Sequence, residues 1–408
     1  MQRAFGCNRS AEQSVVQQTL DTCTPETIEQ MRATLIQIAR KHGQTWQTRQ
    51  RQQWLILDVD LSALPCGKQA QGATKGYIPG RRGRRGRQLG RVYASETEEI
   101  VAELLYEGHT HLWEVLQALV EQAQESLQLD EQARQHTLIR CDAGGGTIDN
   151  INWLLSQGYG LLCKEFSSKR AKALAKTIEH WMTDPSEPGR SLGVVEMPCL
   201  DYQQPQRVRR LVVRTQPSGD PQAQPHYSVL VCNLLPEQVF SLLGQYQSTT
   251  AEQEQLARAI QHLYDLRGGG VETAYKADKH GLGLSQRNKK RFGGQQMLTL
   301  LASLAHNVLI WARSWLFEPE EMQASVVCDD DLLPEAVSGP VDPLAKVRRY
   351  GIKRLVRDVL HLSGCLHFRR GKIVAITFNQ AAPLAPLLAA AFHRLLTHQS
   401  VIINLDQI

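Results

Sequence analysis

The spacing of apolar residues divides the chain into a helical start, an α/β middle and a mostly helical second half. Up to about residue 52, apolar residues recur at the intervals of one helical face, which predicts two or three helices. These residues are Val15, Leu20, Ile28, Met31, Leu35 and Ile38. The run 54–60 is apolar apart from Asp58 and Asp60, and it predicts a buried strand.

A strand, a glycine turn, a helix and another strand follow one another in the middle of the chain. Residues 137–142 form a short apolar segment that ends in Asp142, and glycines at 144–146 turn the chain. Helical spacing over 147–157 ends before Gly158, and 159–163 is the next apolar strand. This order of elements predicts an α/β fold.

The segment between the first strand and this unit predicts a hairpin and two helices. Residues 72–90 are rich in Gly and Arg and are expected to form a loop, after which 91–94 closes a hairpin with the first strand. The sequence Ser95-Glu-Thr-Glu98 has the form of a capping box, which predicts a helix from there to about Tyr106. Residues 112–127 predict a second helix.

Later segments predict a β insertion followed by helices. Strand-like stretches at 194–197, 209–214 and 227–232 indicate an insertion within the α/β core. Helices resume at Pro236, and the apolar run 298–315, with Trp311 and Trp315, is expected to be buried. The predicted segments are a helical, candidate DNA-binding module at 1–52, the first part of the core at 53–190, the β insertion at 191–236, the second part of the core at 237–336 and a small module at 337–408.

Composition and charge are those of a folded protein that can bind a polyanion. Of 408 residues, 42% are hydrophobic and 21% are charged, which excludes a wholly disordered chain. The 46 Lys and Arg against 41 Asp and Glu give a formal net charge of +5. Six arginines fall between Arg81 and Arg91, interleaved with glycines. Such a segment suits a flexible grip on phosphates, and its alternative is a solvated loop.

The chain is expected to be a cytosolic protein with reduced thiols. Its longest apolar run, at 381–392, falls short of the roughly 20 residues of a membrane span, and its first ten residues lack the apolar core of a secretory signal. The nine cysteines contain no Cys-x-x-Cys pair, which argues against a zinc site.

Three carboxylates stand in positions that favour chemistry. Asp60 and Asp142 end apolar strands, and Glu272 follows a run of three glycines. Charges at the ends of buried strands are costly unless they are paired or bind a metal ion, and sites in open α/β sheets lie beyond the carboxyl ends of the strands. Two Mg²⁺ or Mn²⁺ ions held by such oxygens can activate water and stabilise the leaving oxygen of a phosphodiester.

Several motifs, taken in order, resemble one family. Tyr264-x-x-Arg267, then Glu272 and Lys279, resembles the Tyr–Arg–Glu–Lys signature of the DDE transposases of bacterial insertion sequences. The strand that ends in Asp60-Leu-Ser resembles the first catalytic block of that family, and Arg-Cys-Asp142-Ala-Gly-Gly resembles the second. The resemblance covers about residues 54–315.

The resemblance implies a ribonuclease H-like core, interrupted by a β insertion, that cleaves and transfers DNA strands with Mg²⁺ or Mn²⁺. The implied metal ligands and catalytic acids are Asp60, Asp142 and Glu272. The implied DNA contacts are Tyr264, Arg267, Lys276 and Lys279, joined by the loop arginines Arg81, Arg82, Arg84, Arg85 and Arg87. Implied partners are the double-stranded ends of an element, target DNA and a second copy of the chain, in the bacterial cytosol with its nucleoid.

Alternatives remain open at the sequence level. The family has three residues between its Arg and Glu, whereas four separate Arg267 from Glu272, which motivates the alternative of an inactive, transposase-derived DNA-binding protein. Asp58 competes with Asp60 as first acid, although only Asp60 is followed by the Leu-Ser of the family pattern. Asp142-Ala-Gly-Gly-Gly-Thr-Ile-Asp149 also resembles the phosphate loop of actin-like ATPases, in which a hairpin follows rather than a helix.

Overall fold

A computed structural model describes residues 12–78, 83–217, 223–244, 253–317, 350–370, 372–396 and 401–406. The chain divides into two compact units, one made of Thr34–Tyr275 and the other of Met1–Ala33 together with Lys276–Ile408. Neither boundary coincides with a boundary of the segments predicted from the sequence.

The unit Thr34–Tyr275 is built on one large mixed sheet. Its strands are β1 (Leu55–Pro65), β2 (Thr74–Lys75), β3 (Arg85–Ala94), β4 (Glu99–Glu107), β5 (Thr137–Cys141), β6 (Gly160–Lys164), β7 (Met182–Thr183), β8 (Arg190–Val194), β9 (Arg209–Thr215) and β10 (His226–Cys232). Its helices include α3 (Gln44–Gln50), α4 (Leu112–Leu127), α5 (Glu131–Gln135), α6 (Ile148–Ser156), α7 (Ser168–Ala175), α8 (Pro236–Leu242) and α9 (Gln253–Asp265). Two more helices, α2 (Pro25–His42) and α10 (Val271–Gly281), cross the boundaries between the units.

The strand order brings the predicted catalytic strands side by side. The central order is β4-β3-β1-β5-β6, in which β4, β3 and β1 pair antiparallel and β5 and β6 run parallel to β1. β5 therefore ends beside the middle of β1, at Val59, whereas β1 continues against β3 to Pro65. The expectation that Asp60 ends its strand is wrong, because β3 pairs with β1 beyond this point.

Helices cover both faces of this sheet because successive side chains of its strands point to opposite faces. Leu57 and Val59 of β1 join a core that includes Leu116 of α4 and Ile151 of α6. Ile56 joins a second core with Val239 and Phe240 of α8 and Ile260 and Leu263 of α9. Asp58 and Asp60, two and four residues beyond Ile56, consequently face the side that α9 covers.

The strands predicted as a β insertion continue the same sheet. β10 pairs antiparallel with β6, and β9 and β8 follow in order. The strands at 209–214 and 227–232 are confirmed within a residue or two. The strand expected to begin at Val194 instead ends there, since it spans Arg190–Val194.

Two predictions between β1 and α4 are wrong. Residues 85–90, expected to be loop, belong to β3, and the helix expected over 95–106 is the strand β4. Ser95–Glu98 forms the turn of the hairpin, in which Glu98 has a positive φ of 58°. Pairing along the whole length of β3, with Arg91 opposite Glu103, outweighs the local helix signal.

The predicted helices elsewhere in the unit are confirmed. α4 spans the predicted 112–127, and α6 begins after Thr147, whose Oγ1 accepts a hydrogen bond from Asn150 N at 3.3 Å. The N-terminal block contains α1 (Gln13–Asp21), α2 and α3, as the apolar spacing predicted. Since a helix follows the glycine turn, the hairpin required by the ATPase alternative is absent at this place.

The other unit contains a long helix and a small α/β module. Its further elements are α11 (Phe292–Phe317), α12 (Ile352–Arg354), β11 (Gly364–Arg369), β12 (Lys372–Asn379), α13 (Ala385–Leu395) and β13 (Ile402–Asp406). The run 298–315 lies in α11 as one helix, but the expectation of full burial is wrong for Trp315, which is 39% exposed, whereas Trp311 is buried. Neither α11 nor any other helix among the described residues has the combined length and hydropathy of a membrane span.

Candidate active site

Asp60 and Asp142 are neighbours at the edge of the sheet. The parallel pairing of β1 with β5 sets Asp58 opposite Arg140 and Val59 opposite Cys141. Asp60 follows Val59, and Asp142 follows Cys141. Their side chains therefore project from the same face of the sheet, at the point where the pairing of β1 with β5 ends. Asp142 Oδ1 accepts a hydrogen bond from Gly144 N at 2.8 Å, which fixes this carboxylate on the glycine turn.

Asp58 is engaged in a buried ion pair and has no exposed surface. Arg140 Nε donates to Asp58 Oδ1 at 2.7 Å, and Arg140 Nη2 donates to Asp58 Oδ2 at 2.9 Å. Ser95 Oγ also donates to Asp58 Oδ2. Both carboxylate oxygens of Asp58 accept hydrogen bonds from Arg140, so Asp58 has a structural role. Of the two aspartates, Asp60 is therefore the better candidate for the first acid.

Arg267 connects two of the three candidate acids. It lies in the turn between α9 and α10, almost completely buried, with Nη2 3.5 Å from Asp60 Oδ1 and Nη1 4.0 Å from Glu272 Oε1. The carboxylate side chain of Glu272 is 66% exposed in the first turn of α10. The turn therefore accommodates four residues between Arg267 and Glu272 and still brings them together.

The glycines of this turn have different environments. A Cβ at position 270 would lie 3.1 Å from Asp58 Oδ2 and 3.2 Å from Ser95 Oγ. Gly270 thus lets the backbone pass close to the Asp58 ion pair, whereas a Cβ at position 268 or 269 would make only ordinary van der Waals contacts. The start of α10, with Glu272, follows directly on this close approach and lies beside Arg267, which contacts Asp60.

The pKa of Asp60 is raised to about 7, chiefly because its carboxyl is buried. The positive charge of Arg267 lowers this pKa, and the negative charges of Asp142 and Glu272 raise it. Because each of these charges acts on the same carboxyl, the three acids and Arg267 form one electrostatic group.

Tyr275 ties α10 to the strand that carries Asp60. Its Oη lies 2.9 Å from the carbonyl oxygens of Asp60 and Leu89, to which it donates. Its buried ring lies under the guanidinium of Arg91, 5.0 Å from the ring centroid, and Arg91 Nε is paired with Glu103 Oε2 at 2.7 Å. Because Tyr275 is three residues after Glu272, this anchor also sets the position of Glu272.

Tyr264 is half-buried on α9 and packs against the second core. Burial raises its pKa, while the charge of Arg267 lowers it and that of Asp142 raises it. Tyr264 therefore stands close to the same group of charges, and its contact with DNA stays a prediction.

The lysines of α10 lie beyond the boundary of the unit. Lys276 is exposed and Lys279 half-buried on the part of α10 that belongs to the other unit. Their predicted contacts with DNA stay predictions. Glu272 and Lys276 are exposed, whereas Tyr275 between them is buried, so this side of α10 is only partly open to a ligand.

The arginine cluster is divided by the hairpin. Arg84 and Arg85 are exposed, and Arg85 Nη1 donates to Ala73 O at 3.0 Å. Arg81 and Arg82 lie outside the described residues. The interpretation of the cluster as one flexible grip is wrong for Arg87 and Arg91, because both are buried on β3, with Arg87 Nε donating to Gln71 O at 2.7 Å. A buried guanidinium is not presented to a phosphate, so we withdraw Arg87 from the DNA contacts.

The donor chemistry of the acids fits a divalent cation. Asp60, Asp142 and Glu272 offer the carboxylate oxygens that Mg²⁺ and Mn²⁺ prefer, and a cation would relieve the repulsion that raises the pKa of Asp60. Within the described part of the chain, no three His, Cys, Asp or Glu side chains converge as a complete metal-ligand cluster. In this arrangement, Arg267 supplies the positive charge beside Asp60 and Glu272.

Arg140 and Tyr275 have functions that the sequence reasoning missed or left general. Arg140 holds Asp58 and, through Nη1, donates to Leu263 O of α9 at 2.6 Å. If Asp58-Val-Asp60 is aligned with Arg140-Cys-Asp142 as two parallel strands, Asp58 falls opposite Arg140. This alignment is a signal in the sequence from which the ion pair could have been predicted. The contact of Tyr275 with the backbone of β1 has no such local signal, since it joins residues 215 positions apart.

Comparison with solved structures shows a distant likeness in fold. No protein-family model and no curated protein matches the chain. A solved structure of a piggyBac transposase synaptic complex with hairpin DNA is similar to it at 16% identity and a TM-score of 0.38. The similarity covers 72% of this chain and 50% of the other, so the chain spans about half the length of that transposase chain.

Proposed function

We propose that this protein is a DNA transposase of the DDE type, which cleaves phosphodiester bonds and transfers DNA strands with Mg²⁺ or Mn²⁺. The observation that carries the proposal is the adjacency of Asp60 and Asp142 where β1 and β5 part, with Arg267 and Glu272 beside them. Asp60, Asp142 and Glu272 are the proposed catalytic acids.

The proposed ribonuclease H-like core is supported by the order of the central strands. Three antiparallel strands, β1, β3 and β4, lie on one side, and β5 and β6, parallel to β1, follow on the other. Such a core carries its acids on the first and fourth strands of this series, which correspond here to β1 and β5. Its third acid is expected on a helix after the sheet, as Glu272 is on α10.

The side chains have distinct proposed tasks. Asp60, Asp142 and Glu272 would hold the cation, which when bound supplies an activated water and charge stabilisation at the leaving oxygen. Arg267 stabilises the charged form of Asp60 and keeps it next to Glu272. Tyr275 fixes α10 on the backbone of Asp60.

The proposed partners are double-stranded element ends, target DNA and a second copy of the chain. Phosphate contacts are assigned to exposed or half-buried groups, because these alone can reach a backbone without rearrangement. They are Arg84, Arg85, Lys276 and Lys279, with Tyr264 at the edge of the acid group and Arg81 and Arg82 outside the described residues. Arg267, which the resemblance implied as a DNA contact, is buried and is therefore not assigned to a phosphate.

The test is a cleavage assay on a duplex that contains the ends of the element, with Mg²⁺ or Mn²⁺ added. We expect the wild type to nick the duplex, and Asp60→Asn, Asp142→Asn and Glu272→Gln each to abolish nicking while DNA binding persists. The amides keep the shape of the acids and remove their charge. Nicking by Glu272→Gln at the rate of the wild type would overturn the assignment of the site.

A second candidate function is DNA binding without catalysis. It is favoured by the ion pairs of Arg267, whose positive charge by itself balances part of the charge of Asp60 and Glu272. This candidate predicts salt-sensitive binding of DNA that neither a divalent cation nor Asp142→Asn alters. Metal-dependent nicking by the purified wild type would exclude it.

A further inference from the structure

Three aromatic rings form an exposed cluster near the carboxyl end of β5. The rings of His111 and Trp113 are stacked, with centroids 3.9 Å apart and an interplanar angle of 10°. Phe166 meets Trp113 edge to face, with centroids 5.2 Å apart. Phe166 is 49% exposed and Trp113 36%, and His111 is exposed as well. Single exposed apolar residues are ordinary, whereas rings gathered in contact at the surface indicate an interaction site.

Backbone hydrogen bonds fix this aromatic cluster to the glycine turn that follows Asp142. Asn150, which is buried, donates through Nδ2 to Trp113 O at 3.1 Å and to Gly145 O at 3.2 Å. The amide of Phe166 donates to Gly146 O at 2.9 Å. The rings are thus held at a set position relative to Asp142 by the same short segment that holds its carboxylate.

Basic residues flank Phe166 in the sequence. It stands between Lys164, at the end of β6, and α7, whose first turn contains Lys169 and no acidic residue. Arg170 is shared by two carboxylates, the buried Glu165, which lies 3.2 Å from Nη1, and the exposed Asp201. The two lysines therefore supply the remaining positive charge near the ring, which favours a phosphate.

We propose that the aromatic cluster stacks against the bases of an unpaired DNA strand beside the acid group, where Lys164 and Lys169 favour the phosphates of that strand. Aromatic rings stack with any base but cannot reach the faces of bases inside a duplex. The surface therefore fits a single-stranded segment adjoining a duplex. This inference rests on the proposed function, since it specifies the form of DNA that the same site binds.

The experiment measures the dissociation constants of three DNAs by fluorescence anisotropy, without divalent metal. The DNAs are a blunt duplex, the same duplex with a short single-stranded extension, and that extension made of abasic nucleotides. We expect the wild type to bind the extension with bases about 5- to 140-fold more tightly than the abasic one. This range is the ~1–3 kcal/mol of base–aromatic stacking converted at ~1.4 kcal/mol per tenfold.

Variants separate stacking from folding and from general DNA binding. Phe166→Ala is expected to remove the preference for bases and to leave the affinity for the blunt duplex unchanged, whereas Phe166→Trp retains the preference. Leu235→Ala is the matched control, because Leu235 is a similarly exposed apolar residue. It follows β10, which is antiparallel to β6, and so lies at the end of the sheet opposite to Phe166. It is expected to behave as the wild type with all three DNAs.

The two ways in which the experiment can fail are distinguishable. Equal wild-type affinities for the extensions with and without bases, or a preference that survives Phe166→Ala, would overturn the stacking surface alone. Failure to bind any of the three DNAs would overturn the proposed function together with it.

Discussion

Arg140 holds Asp58 through two hydrogen bonds of 2.7 and 2.9 Å, both within the sheet and both shielded from solvent. The same pair of strands leads to Asp60 and Asp142 two positions further along, after Val59 and Cys141. Two aspartates in one strand thereby have different environments: Asp58 is bonded to Arg140, whereas Asp60 lies beside Asp142 with Arg267 at 3.5 Å. The pKa of Asp60 is raised to about 7 chiefly by burial, with a further contribution from the charge of Asp142 that Arg267 opposes.

Loss of Arg140 is expected to destabilise the protein strongly. Arg140→Ala leaves the buried carboxylate of Asp58 without its partner, and breaking a buried ion pair in this way costs about 3–5 kcal/mol in the free energy of unfolding. Urea unfolding followed by circular dichroism measures the change. The double variant Asp58→Leu with Arg140→Met removes both charges and is expected to recover most of the loss, and no recovery would contradict the ion-pair explanation.

Asp60 is expected to make the protein less stable as the pH rises. The pKa of its carboxyl is about 7 in the folded protein, against an ordinary value of 3.8, so the folded state binds the proton more tightly than the unfolded state. Stability therefore falls as the pH increases from about 4 to about 7, by at most about 4 kcal/mol from this group. Asp60→Asn lacks this ionisation.

The measurement is the difference in unfolding free energy between Asp60→Asn and the wild type at pH 5 and at pH 8. We expect the variant to gain relative to the wild type at the higher pH. Glu165→Gln is a useful comparison, since burial also raises the pKa of Glu165 at a place outside the acid group. A difference for Asp60→Asn that stays constant with pH would show that Asp60 titrates in its ordinary range.

The succession of strands and helices was predictable because apolar spacing is a local property of the sequence. β1, β5, β6, α4 and α6 all have a clear period and clear ends, and each was predicted within a few residues. β4 was predicted as a helix because its signal depends on a partner strand, with Glu103 set against Arg91 across the hairpin. The burial of Arg87 and Arg91 follows from that same pairing, and it cannot be predicted from the composition of the segment alone.

The candidate acids Asp60 and Asp142 could be selected because each follows an apolar run, but the charges around them could not be predicted. Nothing local shows that Arg267 reaches Asp60 across more than 200 residues, or that Gly270 passes beside Asp58. Both relationships are set by the packing of α9 on the sheet, where Arg140 also donates to Leu263 O.

Removal of Arg267 is expected to shift the pH dependence of metal binding. Arg267 lowers the pKa of Asp60, so in Arg267→Gln the carboxyl keeps its proton to a higher pH. Since a metal ion and a proton compete for the same oxygens, Mn²⁺ affinity should rise with pH up to about 7 in the wild type and continue to rise beyond it in the variant.

Isothermal titration with Mn²⁺ between pH 6 and pH 8.5 tests this expectation. Arg267→Lys keeps the positive charge and is expected to follow the wild-type profile more closely than Arg267→Gln does. Identical pH profiles for the wild type and Arg267→Gln would contradict the electrostatic link between Arg267 and Asp60.

Tyr275 is expected to act on the rate of cleavage through the position of Glu272. Tyr275→Phe removes the Oη that donates to the carbonyls of Asp60 and Leu89, and two buried acceptors lose that donor. The cost is about 1–3 kcal/mol in the free energy of unfolding. This hydroxyl holds the first turns of α10 on β1, so without it the position of Glu272 relative to Asp60 is less well fixed. Such displacements of catalytic groups lower turnover. We expect kcat for nicking to fall while the dissociation constant for DNA is unchanged, since the hydroxyl points at backbone and not at a phosphate.

Tyr159→Phe is the matched control for Tyr275→Phe. Tyr159 Oη donates to Gln124 Oε1 at 3.1 Å, within the core beneath α4 and away from the acids. Its loss should cost comparable or smaller stability and leave kcat as it is. Both variants are compared at a temperature at which both are folded. If both lowered kcat in proportion to their loss of stability, Tyr275 would be a general packing residue. A fall in kcat confined to Tyr275→Phe supports the view that α10 must be held on the Asp60 strand for the acids to act together.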